Sequence, residues 1–174
     1  MPITSFENLM KRKKEAKKLF CESLNIKYSK PLLGVVLDKE LTKDEESNLK
    51  NILQGIAHVD MNVVILSDHS KISDVNHLQY NRKNRQDLLE SADMSLSFSF
   101  SDVEEMLLHG TIPVSCARPE VSDYNPNRET GNSFIYKEND QWCIFAALVR
   151  ALETYKFPYD WKNIVKQGLE SVLV

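Results

Sequence analysis

The side chains best equipped for chemistry are three cysteines, four histidines and a run of cations near the amino terminus. Cys21, Cys116 and Cys143 are widely spaced and odd in number. That pattern suits reduced, buried thiols rather than a disulfide framework or a thiolate metal cluster. His58, His69, His77 and His109 lack metal-ligand spacing, so no zinc site is expected. Lys11, Arg12, Lys13, Lys14, Lys17 and Lys18 share one helical candidate. Such a run usually forms a solvated face; its chemical alternative is an anion or nucleic-acid contact. Without interleaved aromatics, single-strand binding fits poorly. Arg118 follows a candidate strand and can hold an anion, although a lone arginine there is more often a surface residue.

The elements that must position these groups are readable from their periodicities. Residues 6–24 form the basic helical candidate. Pro31 to Leu37 and Asn62 to Leu66 are short apolar runs of strand length, as expected for parallel strands covered on both faces. Thr42 to Glu45 is a capping box opening a helix, with Leu49, Ile52, Leu53 and Ile56 on one face. His77 to Tyr80 reads as a weak strand and Arg82 to Ser91 as a polar helix. Met94 to Phe100 alternates in polarity and reads as a strand with Leu96, Phe98 and Phe100 on one side. Ser101 to Glu104 reads as a second capping box, and Gly110 as the left-handed end of the short helix that follows. Thr111 to Cys116 and Asn132 to Tyr136 are further strands. Two helices close the chain, with Phe145, Leu148, Val149 and Leu152 facing inward on the first and Trp161, Ile164 and Val165 on the second. Strands alternating with helices predict an α/β fold with a parallel sheet and right-handed crossovers. Ligands of such sheets bind at the carboxyl ends of the strands.

Composition sets the outer limits. The chain has 174 residues, 42% hydrophobic and 27% charged, which suits a single globular domain. A net charge of -3 gives no global reason for nucleic-acid binding. No apolar run approaches the roughly 20 residues of a membrane span. The first residues, MPITSFENLMKRKK, lack the long apolar core of a secretory signal. A cytoplasmic location is the expectation.

Four blocks, in order, resemble the C-terminal half of bacterial glycogen and starch synthases, which have the two-domain GT-B architecture. Lys14 to Ile26 is similar to that family's "NKAALQKELGL" segment. Gly34-Val-Val with Thr42-Lys43 is similar to "GFVGRLTPQKG". Glu90 to Met94 and His109 to Pro113 resemble "AGADV" and "YGTLP". Thr130 to Tyr136, the helix to Tyr155 and Asp160-Trp161 resemble "TGNGFVF…ALRRALALY…W". The resemblance implies a Rossmann-like parallel sheet flanked by helices on both faces. It implies one C-terminal-type domain over 1–174, with a leading helix (1–27), an α/β core (28–155) and a C-terminal helix (156–174).

The same resemblance implies a site that has lost its parts. The family uses an arginine and a lysine after the first strand to neutralise the diphosphate leaving group; here those positions are Asp38 and Lys43. Lys39 is a partial substitute. The family's Glu-Pro-Cys-Gly loop becomes Ser99 to Asp102, and its Thr-Gly-Gly loop becomes Arg118 to Val121, where no glycine lets a phosphate approach the backbone. The resemblance nominates Lys43, Tyr80, Arg118 and Glu104 as vestigial nucleotide-sugar contacts, with Tyr80 beside the base. It nominates no catalytic residue and no metal ligand. Glu104 has a plainer role in a capping box, and Glu105 in complementing the helix dipole. No cofactor is implied beyond a possible ligand, ADP-glucose or UDP-glucose. The family's acceptor domain lies outside these residues. The functional expectation is therefore a domain inactive on its own, serving as a binding or interaction module. The alternative is one half of a split retaining glucosyltransferase. A homodimer or a separate acceptor-domain chain is the partner expected; a membrane or nucleic acid is not.

Overall fold

In the computed structural model, residues 5–68 and 75–173 are described; His69 lies outside them. The elements are α1 (Phe6–Ser23), β1 (Leu32–Leu37), α2 (Lys43–Ile56), β2 (Asn62–Ser67), β3 (Asn76–Leu78), α3 (Arg82–Ser91), β4 (Met94–Leu96), α4 (Val103–Leu108), β5 (Ile112–Ser115), β6 (Phe134–Ile135), α5 (Gln141–Tyr155) and α6 (Pro158–Leu173). The strands form one six-stranded sheet in the order β3-β2-β1-β4-β5-β6. Every pairing is parallel.

Alternation along β1 explains its uninterrupted apolar sequence. Leu33, Val35 and Leu37 enter one core layer with α2, α5 and α6, while Leu32 and Val36 enter the other with α3 and α4. Burial on both faces removes the polar half of the strand pattern. Gly34 points at α3, where a Cβ would stand 3.3 Å from Ala92 Cβ and from Leu88 Cγ, so its absence lets α3 settle onto the sheet.

The capping box of α2 forms as the sequence predicts: Thr42 Oγ1 accepts from Glu45 N, and Glu45 Oε2 accepts from Thr42 N. The second box does not form. Asp102 caps α4 by accepting from Glu105 N at 3.0 Å. Ser101 instead turns back, its Oγ accepting from Phe98 N at 2.8 Å. That bond satisfies an N–H which a longer strand would need, so β4 ends at Leu96 rather than Phe100. Gly110 ends α4 with φ +69°, as predicted.

Other differences follow from packing. β6 pairs only over Phe134–Ile135. On α5 the fully inward residues are Ile144, Ala147, Leu148, Ala151 and Leu152, with Phe145 and Val149 half-buried at the margins. Trp161, Ile164 and Val165 of α6 are buried as expected. Cys21 is fully buried, whereas Cys116 and Cys143 are half-buried.

The largest correction concerns the basic run, which is not wholly a solvated face: Lys13 and Lys17 are buried. Lys17 Nζ lies 2.7 Å from Asp93 Oδ2 and donates to Tyr155 Oη at 3.1 Å. Lys13 Nζ donates to Thr111 Oγ1, to His109 O and to the carbonyls of Leu89 and Glu90. Both lysines therefore fix α1 beneath the amino ends of β1, β4 and β5.

Gly131 is the most closely packed of the glycines. Its φ is +119°, and a Cβ there would sit 2.5 Å from Asp123 O and 2.6 Å from Tyr124 Cα. Neither neighbour is a flexible side chain. Gly131→Ala is expected to lower stability by more than about 2 kcal/mol, read as a shifted urea midpoint. An unchanged midpoint would show that the 123–133 loop relaxes without cost.

Candidate functional site

The strand order reverses between β1 and β4: β2 and β3 lie to one side, β5 and β6 to the other. In an open parallel sheet the crevice at that reversal, beyond the carboxyl ends, is the natural ligand site. Here it lies between the β1–α2 loop, which carries Asp38 and Lys39, and the Ser97–Asp102 loop. The amino-terminal half of α3 borders it, because α3 runs back from the carboxyl edge of β3.

The crevice is dominated by carboxylates and one arginine. Arg85 Nη2 is 2.5 Å from Glu105 Oε2, an ion pair joining α3 to α4, with the two side chains 20% and 33% exposed. The hydrogen bond to Glu105 holds the guanidinium above its ordinary pKa; burial opposes this, and the charges of Glu105 and Asp38 add to it. Asp38 is raised above the usual carboxylate range. Asp38 is exposed, and its partial removal from water by the neighbouring loops is the main cause; Arg85 and Lys39 oppose it, while Glu105 and Asp102 add to it. Asp38, itself exposed, thus lies within electrostatic reach of Glu105, Asp102, Arg85 and Lys39, and the arginine is already committed to Glu105.

The four nominated residues fare differently. Tyr80 is half-buried at the end of β3, within the electrostatic reach of Arg85, and its backbone N–H is held by Asp68 Oδ1 at 3.1 Å. Arg118 follows β5, but its guanidinium serves the neighbouring loop. It donates to Ser101 O at 2.7 Å and more weakly to Phe98 O, with Glu120 Oε2 at 3.6 Å from its Nε. Lys43 is exposed in the first turn of α2, and Glu104 is exposed on α4. The structure therefore groups Asp38, Arg85, Asp102 and Glu105 with Tyr80 beside them, while Arg118 braces the Phe98–Ser101 turn.

Sequence reasoning missed Arg85. Its signal was present: a helix opening at the carboxyl edge of a parallel sheet and carrying Arg82, Lys83 and Arg85 in its first turns. Polarity alone made that helix look merely solvent-facing.

One further cluster has ligand-type atoms. Glu138, Asp140 and Cys143 bring a carboxylate oxygen each and a sulfur within 4.8 Å of one another. Asp140 is the N-cap of α5, accepting from Trp142 N and Cys143 N. Those backbone bonds hold its carboxyl below the ordinary range, and the hydrogen bond to Asp140 pushes the Cys143 thiol up. A raised thiol is a poorer metal ligand, since the thiolate is the binding form. Among the described residues no helix is long and apolar enough to cross a membrane.

No protein-family model and no curated protein matches the chain. Solved structures do. A glycosyltransferase from Rickettsia africae superposes with a TM-score of 0.72 at 11% identity, over 98% of this chain and 50% of that one. The C-terminal domain of a group 1 family glycosyl transferase from Francisella tularensis gives 0.64 at 9% identity, over 92% of this chain and 91% of that one. A putative UDP-N-acetylglucosamine 2-epimerase from Listeria monocytogenes gives 0.54 at 10% identity, over 82% and 42%. The chain spans about half the length of the Rickettsia protein and nearly all of the Francisella domain. With the six parallel strands and their flanking helices, these likenesses identify the fold as that of the C-terminal domain of GT-B glycosyltransferases.

Proposed function

We propose that this domain is a glycogen or starch synthase-like glycosyltransferase module that is inactive on its own and acts in binding or interaction. The observation that carries the reading is the charge at the switch point. A nucleotide-sugar diphosphate needs cations or free backbone N–H groups there. The exposed Asp38, the α4 cap Asp102 and Glu105 border the crevice instead, and its arginine is paired. Arg118 is likewise engaged with Ser101 O. Like charges at this range oppose a phosphate rather than hold it. Three thiols without a disulfide fit a reducing compartment such as the cytoplasm.

Calorimetric titration with ADP-glucose, UDP-glucose, ADP and UDP tests the reading. No saturable heat is expected from any of them. Micromolar binding of one would overturn it.

A second reading is half of a two-domain retaining glucosyltransferase using ADP- or UDP-glucose. It draws on the 50% coverage of the Rickettsia protein, which leaves room for an acceptor domain beyond these residues or on a partner chain. Under that reading Lys43, Tyr80, Arg118 and Glu104 retain donor contacts. Asp38→Arg would then raise nucleotide affinity by at least about tenfold, the effect of exchanging a repulsive for an attractive charge. A homodimer is the other partner state that fits a lone half, and sedimentation distinguishes it.

A further inference from the structure

A second concavity lies between the later half of α2 and the first turns of α5, and none of its residues belongs to the crevice above. It is a groove of 380 Å³, lined chiefly by Trp142, Phe145, Asn51, Gln54, Gln141 and His58. No Asp, Glu, Lys or Arg lines it. The volume falls within the range of small-ligand clefts.

Its construction is specific. Trp142 is 75% exposed, although indole is among the side chains that gain most from burial. The Asp140 cap fixes the start of α5 by accepting from Trp142 N at 2.9 Å. One turn on, Phe145 packs directly on Gly55, where a Cβ would come within 2.8 Å of its ring. That glycine lets an aromatic floor form on α2. Beside it Asn51 Nδ2 donates to Gln141 Oε1 across the two helices at 2.5 Å. The bond orients both amides and leaves Asn51 Oδ1 as an acceptor and Gln141 Nε2 as a donor. Neither atom has a further partner among the described residues.

We propose that this groove binds a neutral oligosaccharide, with Trp142 as the stacking platform and the Asn51–Gln141 pair as ligands for adjacent hydroxyls. A pyranose ring has an apolar face of C–H bonds and a rim of hydroxyls. The first matches the electron-rich indole face. The second matches planar amides, which both donate and accept. Gln54 and His58 extend the polar wall. The absence of charged lining residues selects against phosphorylated or acidic sugars, which would find no counter-charge. This binding is independent of whether the switch-point crevice holds a nucleotide.

The test is a fluorescence titration with maltoheptaose, cellohexaose and chitohexaose. Trp161, the other tryptophan, is 6% exposed, so a ligand-dependent emission change reports Trp142. At least one oligosaccharide is expected to give a saturable change at millimolar or lower concentration. Trp142→Ala, followed by calorimetry, and Gln141→Ala are each expected to weaken binding about tenfold. Trp142 is exposed and Gln141 half-buried, and an unchanged urea midpoint will show that the variants fold. Arg85→Ala should leave saccharide affinity unchanged, which separates this site from the crevice. No saturable change with any of the three sugars overturns the proposal. So does unchanged affinity in Trp142→Ala. Conversion of a dimer to a monomer by Trp142→Ala, without saccharide binding, would show instead that the face serves self-association.

Discussion

Asp93→Ala is expected to remove about 3–5 kcal/mol of folding stability, the range for breaking a buried ion pair from one side. Asp93 stands at the amino end of β4, where its Oδ2 accepts from Leu32 N at 2.8 Å and faces Lys17 Nζ at 2.7 Å. The two charged side chains are only 11% and 9% exposed. Removing the carboxylate leaves a buried ammonium without its counter-charge, held by Tyr155 Oη alone among the described residues, and a buried strand N–H without its acceptor. Lys17 loses most of what holds it: desolvation pulls its pKa down, but the charge and hydrogen bond of Asp93, with Tyr155, lift it above the ordinary value. Tyr155 in turn stands edge-on to Trp161 with ring centroids 5.1 Å apart, so the loss propagates into α5 and α6. Asp93→Asn keeps an acceptor for Leu32 and should cost less than Asp93→Ala. The double variant Lys17→Met, Asp93→Ala should recover part of the loss, because no charge is then stranded. Urea midpoints measure all three. A loss below about 1 kcal/mol in Asp93→Ala would show that water reaches the pair.

Stability is expected to rise with pH above neutrality because of Lys13, and by an amount set by that one residue. Burial pulls its pKa to about 7. The Lys17 charge lowers it further, while Asp93 and Glu90 resist. Four oxygens surround its Nζ, including carbonyls at the carboxyl ends of α3 and α4, and these too favour the ammonium. Desolvation prevails. Between pH 7 and the unfolded value of 10.5 the unfolded chain binds a proton that the folded chain releases. Stability therefore increases with pH across that window. From pH 7 to about pH 9 the gain is about 2 kcal/mol. Lys17 has the opposite sign, but its contribution is lost only above its ordinary value of 10.5. The Cys21 thiol is raised by burial and acts against the trend only near and above 9. Urea denaturation of the native chain and of Lys13→Met, at both pH values, isolates the term: the gain should be absent in the variant. Equal slopes in the two proteins would mean that the ammonium stays charged in the fold.

The central strands were legible because parallel strands covered on both faces must be apolar throughout. Leu32 to Leu37 and Val63 to Leu66 meet that demand without any polar alternate. The start of α2 was legible because a capping box is local: Thr42 and Glu45 meet within one turn. Gly110 was legible for the same reason, since a positive φ after a helix is a one-residue requirement. The Ser101 box failed at a point where two local solutions compete. Ser101 and Asp102 can each cap, and Ser101 is drawn off because Phe98 N has no strand partner.

The sequence by itself determined which segments are strands and helices, that the sheet is parallel, and that no glycine stands in Ser99–Asp102 or Arg118–Val121. Those features depend on neighbours a few residues apart, or on the apolar content of one segment. Only the tertiary structure decided which charges are buried and which meet. Lys13 and Lys17 sit in a run that looks uniformly solvated, yet they are 7% and 8% exposed because α1 lays that one edge across the amino ends of three strands. Arg85 and Glu105 lie 20 positions apart on different helices, and they pair because β1 and β4 are sheet neighbours. Solvation and Coulomb interaction depend on distance through space, which periodicity along a chain does not encode.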